Sequence, residues 1–118
     1  MRLVFADPNA HALCVDAARA TAYWGAGWAA VAICLSLLLD SLDIASVRRW
    51  AAIDVRVVGG LIRVAHCDAV VTLVPLADDG SAVALVEENA MDQLDRIRQA
   101  QVIDIAWNGK CAATRRAR

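Results

Sequence analysis

From Val47 to Ala65 the chain reads VRRWAAIDVRVVGGLIRVA, with apolar residues at 47, 50, 51, 57, 58, 61, 62 and 65. This spacing predicts one face of a helix. At about 100° per residue the stripe is centred on position 54, which is Asp. An unpaired carboxylate in the middle of a buried face is costly. Asp54 is therefore either a structural acceptor inside the core or an active-site carboxylate at a pocket edge. Arg48, Arg49, Arg56 and Arg63 fall off the stripe, as solvated residues should. Gly59 and Gly60 weaken such a helix by roughly 1 kcal/mol each relative to alanine. They either let it pack closely on a sheet or mark a kink.

The rest of the chain alternates. Residues 2 to 6, RLVFA, read as a buried strand, broken by Asp7, Pro8 and Asn9. Residues 10 to 24 read as a helix, with Leu13, Ala17, Ala20 and Trp24 at helical spacing and a stop at Gly25 or Gly27. Residues 28 to 35 have no alternation and read as a second strand covered on both faces. Asp40, Ser41, Asp43 and Ser46 are turn or cap formers. Residues 66 to 68 connect to a third strand at 69 to 75. The turn Asp78-Asp79-Gly80-Ser81 leads into a helix from about 81 to 99, and a fourth strand follows at 102 to 107. Strands alternating with helices predict a three-layer α/β sandwich, flavodoxin- or Rossmann-like. Its sheet is mainly parallel, of four or five strands, in the order 2-1-3-4. The domain covers 1–109 and a basic C-terminal tail covers 110–118. In such sheets ligands bind beyond the carboxyl ends of the strands. The rule gathers the Asp7 to Asn9 turn, the Ser36 region and the Asp78 to Ser81 turn on one rim.

Composition narrows the partners. A chain of 118 residues suggests one modest core, and 59% hydrophobic residues suggest that an interface is buried too. The net charge of −1 gives no electrostatic case for nucleic acid. The cluster Arg115, Arg116 and Arg118 reads as a solvated tail. Cys14, Cys34, Cys67 and Cys111 form no C-x-x-C pair, which fits a reduced, cytoplasmic protein. The N-terminus lacks the apolar region of a signal peptide. The stretch from Ala22 to Leu39 is uncharged, but Gly25, Gly27 and Ser36 interrupt it. A helix end, a glycine stop and a buried strand explain it without a membrane. Two histidines without partner ligands make no metal site, and no glycine-rich phosphate loop is present, so no metal or cofactor is expected. His66-Cys67-Asp68 is contiguous, whereas catalytic partners meet through the fold. His11 reads as a surface helix residue near the rim. Trp24, Trp28, Trp50 and Trp107 are candidates for a subunit contact in a homodimer or larger homo-oligomer.

Glu87 repeats the peculiarity of Asp54. It lies within the stripe Val83, Val86, Ala90, Leu94 and Ile97, while Glu88 points about 100° away toward water. Either Glu87 reaches past the stripe edge to solvent, or two inward carboxylates approach one pocket. Paired carboxylates suit nucleophilic catalysis with acid assistance, used most on glycosidic bonds. The Asp78 to Ser81 turn is either a plain cap or a holder for a phosphate or a sugar hydroxyl.

Several pieces in order resemble the nucleoside 2-deoxyribosyltransferase-like family, which includes the deoxynucleoside-5'-monophosphate N-glycosidases. They are Ala6-Asp7-Pro8 after the first strand, Gly27-Trp28, Trp50-x-x-x-Asp54, Cys67-Asp68-Ala69-Val70-Val71, and Ser81 with Glu87 in a Ser-x-x-x-x-x-Glu spacing. The resemblance runs from Arg2 to about Trp107. It implies Glu87 as the nucleophile at the anomeric carbon, Asp54 as its assistant, and a nucleoside or nucleotide as substrate. It implies a 5' end held at Ser81, with Gly80, Asp79, Asp7, Pro8 and Asn9 completing the substrate site. Val83 stands where relatives usually have glycine, and Val4 where many have tyrosine. Under the transferase alignment the nucleophile would fall on Ala84. The alternative is a non-catalytic nucleotide-binding or oligomeric interaction protein on the same scaffold.

Overall fold

A computed structural model describes residues 1–85, 90–107 and 110–112. The chain opens with strand β1 (Arg2–Phe5), then helices α1 (Pro8–Val15) and α2 (Ala17–Trp24). A 3₁₀ turn (Gly25–Gly27) leads into α3 (Trp28–Asp40), followed by the short α4 (Ile44–Val47). Strands β2 (Asp54–Val58), β3 (Leu61–His66) and β4 (Ala69–Leu76) come next. A single helical turn, α5 (Ala90–Gln93), precedes β5 (Gln99–Trp107) and β6 (Lys110–Ala112).

The sheet is mixed, in the order β1-β5-β4-β3-β2, with β6 also on β5. Only β1 and β5 run parallel, with Arg2 beside Gln99 and Phe5 beside Val102. All other pairs are antiparallel. This overturns the mainly parallel 2-1-3-4 sheet. The flavodoxin- or Rossmann-like three-layer reading falls with it, because one core cluster joins the helices to one row of sheet residues. Register places Val55, Val64, Val71 and Ile105 side by side on that row. Arg56, Arg63, Thr72 and Asp104 line up on the other. Thr72 pairs with Asp104 and Leu73 with Val102, leaving Ile103 as a bulge. The tail read as starting at 110 begins with three residues that pair with β5.

The stretch read as a central helix is the β2–β3 hairpin. Gly59 and Gly60 both have positive φ, 59° and 78°, as a two-residue turn between strands requires. Each strand alternates: Val55 is buried between exposed Asp54 and Arg56, and Ile62 and Val64 flank exposed Arg63. Two period-2 strands joined by two residues imitate a helical stripe, and that coincidence put Asp54 at the centre of a face.

The stretch read as a second strand is α3, thirteen residues long. Its buried residues, Val31, Cys34, Leu35 and Leu38, follow helical spacing. The repeat was hidden because the outer face, with Ala29, Ile33 and Leu39 exposed, is also apolar. At 1.5 Å per residue α3 spans about 20 Å, short of the roughly 30 Å hydrocarbon layer. No helix among the described residues is long and apolar enough to cross a membrane.

The helix expected at 10–24 is divided. Asp16 adopts extended dihedrals, ends α1, and caps α2 by accepting from the N–H groups of Ala18 and Arg19. The helix expected from 81 to 99 is absent over its first turn. Ala82 bridges back to Leu76, and the Val83 N–H donates to the Pro75 carbonyl at 2.9 Å. Among the described residues, helix returns at α5 and the 3₁₀ turn Leu94–Arg96. Leu94 and Ile97 are buried there, and the Ile44 N–H donates to the Ile97 carbonyl.

Candidate binding groove

Asp54 opens β2, on the exposed face of the hairpin. Its carboxylate is 57% exposed and accepts from Nε of Arg56 at 2.7 Å. Glu87 lies outside the described residues. Asp54 therefore does not sit on an inward helix face, and the pairing of two such faces loses one of its members.

The turn at Asp78 to Ser81 is closed on itself. The Ser81 hydroxyl and N–H both donate to Oδ1 of Asp79, at 2.6 and 2.9 Å. Those bonds hold the Asp79 carboxyl below its ordinary range, the hydroxyl contributing most. Gly80 supplies the positive φ of 90°. Asp7 is the N-cap of α1, accepting from the Asn9 N–H at 2.9 Å, and Pro8 occupies the first turn. The proposed common rim is divided by strand direction. Leu76 pairs with Gln99, beside Arg2, so the Asp78 to Ser81 turn lies at the start of β1. Asp7 lies past its end. A mainly parallel sheet would have put both at one rim, and the antiparallel β4 separates them.

Between β1, α1 and α3 runs a groove of about 310 Å³. Leu3 and Phe5 form its floor on the sheet side, and Cys14 and Val15 one wall. Trp28, Ala32, Leu35 and Leu39 form the other. Its polar groups are His11 and Ser36, and no Asp, Glu, Lys or Arg lines it among the described residues. The His11 ring sits 4.9 Å from that of Phe5, tilted by 45°. Trp28 is stacked on buried Trp24 at 5.9 Å. At the lips, Val15 is 70% and Leu39 56% exposed. The groove connects with a second cleft along β1, bounded by Arg2 to Phe5, Pro8 and His11. Of the three polar stretches expected on one rim, Pro8 and Ser36 thus border adjoining spaces.

The groove's lining is mainly apolar. Burial pushes the Cys14 thiol up to about 11, so it is protonated at neutral pH and is no thiolate nucleophile. Among the described residues no three metal-ligating side chains cluster. A thiol–imidazole pair, His66 and Cys67, lies where β3 ends and the β3–β4 turn begins. There Nδ1 of His66 lies 3.0 Å from the Ala52 carbonyl oxygen, and Cys67 Sγ lies 3.6 Å from Nε2. A carbonyl only accepts, so Nδ1 donates to it. Of the tryptophans expected at a contact, Trp24 is buried and Trp28 and Trp107 half-buried, while Trp50 is 54% exposed on the surface.

Sequence reasoning missed this groove. Its signal was the uncharged run from Ala22 to Leu39, too long for one buried strand and apolar on every side. Comparison with known proteins finds no matching family model, curated protein or solved structure.

Proposed function

We propose that this chain is a non-catalytic interaction module whose groove between β1, α1 and α3 receives apolar side chains of a protein partner. The observation that carries this reading is the groove's lining. Eight apolar or thiol side chains and two polar ones surround about 310 Å³, and two large hydrophobic residues stand exposed at the lips. Exposed contiguous apolar surface marks interaction sites. N-glycosidic cleavage through Glu87 and Asp54 is the less supported reading, because Asp54 is solvated and ion-paired on a hairpin.

Titration with 8-anilinonaphthalene-1-sulfonate tests the groove. Saturable fluorescence with energy transfer from tryptophan is expected for the native chain, and its loss for Leu39→Glu with the fold retained. Dye binding that is absent, or unchanged by Leu39→Glu, overturns the groove as the binding surface. Incubation with nucleosides and nucleoside monophosphates is expected to release no base. Base release abolished by Asp54→Asn would overturn the non-catalytic reading.

A further inference from the structure

The free edge of β1 adjoins the groove. The N–H groups of Arg2 and Ala6 donate to the carbonyls of Arg98 and Val102 on the β5 side, both at 3.0 Å. By alternation Val4 also faces β5, so the N–H and C=O groups of Leu3 and Phe5 point the other way. No described residue bonds them. The same two residues place their side chains in the groove. The adjoining cleft leaves open space of about 370 Å³ beside this edge.

Resting on the interaction reading, we propose that the partner is a second copy of this chain, whose β1 pairs antiparallel with this β1 about a twofold axis through Val4. This register sets Leu3 opposite the partner's Phe5 and Phe5 opposite the partner's Leu3. Both pairs then exchange two N–H···O=C bonds, so all four free groups on each edge are used. Val4, 38% exposed, meets its own copy as a non-hydrogen-bonded pair, where side chains are closest. Arg2 falls opposite the partner's Ala6. The two Arg2 side chains are then roughly 13 Å apart along the strands, so like charges do not meet.

Neighbouring registers fail. A shift of one residue sets outward groups against inward ones. Centring on Leu3 brings the two Arg2 side chains within roughly 7 Å along the strands. Centring on Phe5 carries the pairing past the end of β1, setting Pro8, already in α1, opposite the partner's Arg2. The opposite edge, β2, is less suited to pairing because Asp54 and Arg56 charge it. The pairing makes one sheet continuous across two copies. It also lays the partner's Leu3 and Phe5 side chains beside the groove that this chain leaves open.

Sedimentation equilibrium on the full chain tests this. The native chain is expected to have twice its own mass at tens of micromolar. Val4→Lys and Val4→Glu, both on an outward side chain, are each expected to weaken the dimer about tenfold or more, since like charges directly opposite repel. Mixing the two variants restores the dimer. Circular dichroism and melting temperature near native values show that each variant folds. A native chain at monomer mass overturns the proposal, as do single variants that stay dimeric or a mixture that does not recover. A monomer that still binds the dye in a manner sensitive to Leu39→Glu overturns the dimer alone and leaves the groove standing. A dimer sensitive at Val4 but without dye binding does the reverse.

Discussion

The indole of Trp107 occupies the place where a Cβ on Gly27 would stand. The contact joins the end of β5 to the 3₁₀ turn that starts α3. Gly27 is itself buried, with an ordinary negative φ of −68°. It is glycine because the ring needs the space, not because the backbone needs freedom. Gly27→Ala is therefore expected to destabilise the fold by about 1–3 kcal/mol through overpacking. Urea unfolding measures it. Shrinking the ring in Gly27→Ala/Trp107→Leu should cost less than the two single changes added together. Additive losses would show that the ring yields without strain.

Gly60 tests a different property. A Cβ there meets nothing within 4 Å, but its φ is +78°. Gly60→Ala should cost about 1–2 kcal/mol from the left-handed backbone alone. Gly60→Asn should cost less, since asparagine tolerates that region. Equal losses for the two substitutions would mean that the turn rearranges when substituted.

The same glycines explain what could be read from the sequence and what could not. Strands with one strong signal were legible: β1 ended by Asp7-Pro8, β4 as an apolar run closed by the Asp78 to Ser81 turn, and β5, read as 102–107. Helix α2 was legible through Ala20 and Trp24. The hairpin was lost because apolar positions 57, 58, 61, 62 and 65 satisfy a helical period once a two-residue turn joins two strands. Gly59-Gly60 was the cue that should have outweighed the period. Helix α3 was lost for the opposite reason, since an apolar outer face erases amphipathicity. These two exchanges of helix for strand removed the crossovers that a parallel sheet requires. They also turned Asp54 from an inward carboxylate into a solvated one. The groove was illegible because it joins residues 3 to 5, 11 to 15 and 28 to 39, and only the parallel pairing of β1 with β5 fixes where the first of these lies.

Asp79 provides an acid-side prediction. Its carboxylate is held below the ordinary 3.8 by the Ser81 hydroxyl and then by the Ser81 N–H. A depressed pKa contributes stability that is present above the unfolded value and is lost as pH falls through the folded one. The Asp79 side-chain carbon signal in an NMR titration should have its midpoint below the ordinary 3.8, and Ser81→Ala should bring that midpoint back up. A midpoint unmoved by Ser81→Ala would remove the hydroxyl as the cause.

The thiols set the alkaline limit. Burial raises both Cys14 and Cys34 from 9.0 to about 11, and in Cys34 the neighbouring Cys67 adds to the shift. For a raised pKa the stabilisation is complete below the unfolded value, because only the unfolded chain then gains by losing the proton as pH climbs. Stability should fall between pH 9.0 and about 11, and Cys14→Ala should make that fall shallower. Reactivity follows the same asymmetry. Cys67 is exposed in the β3–β4 turn, whereas Cys34 is wholly buried. Iodoacetamide at pH 8 should label Cys67 first, then Cys14, and Cys34 only as fast as the fold opens. Peptide mass spectrometry over a labelling time course resolves the order. Cys34 reacting as fast as Cys67 under native conditions would mean that α3 does not stay packed on the sheet, and the groove it helps to form would lose its wall.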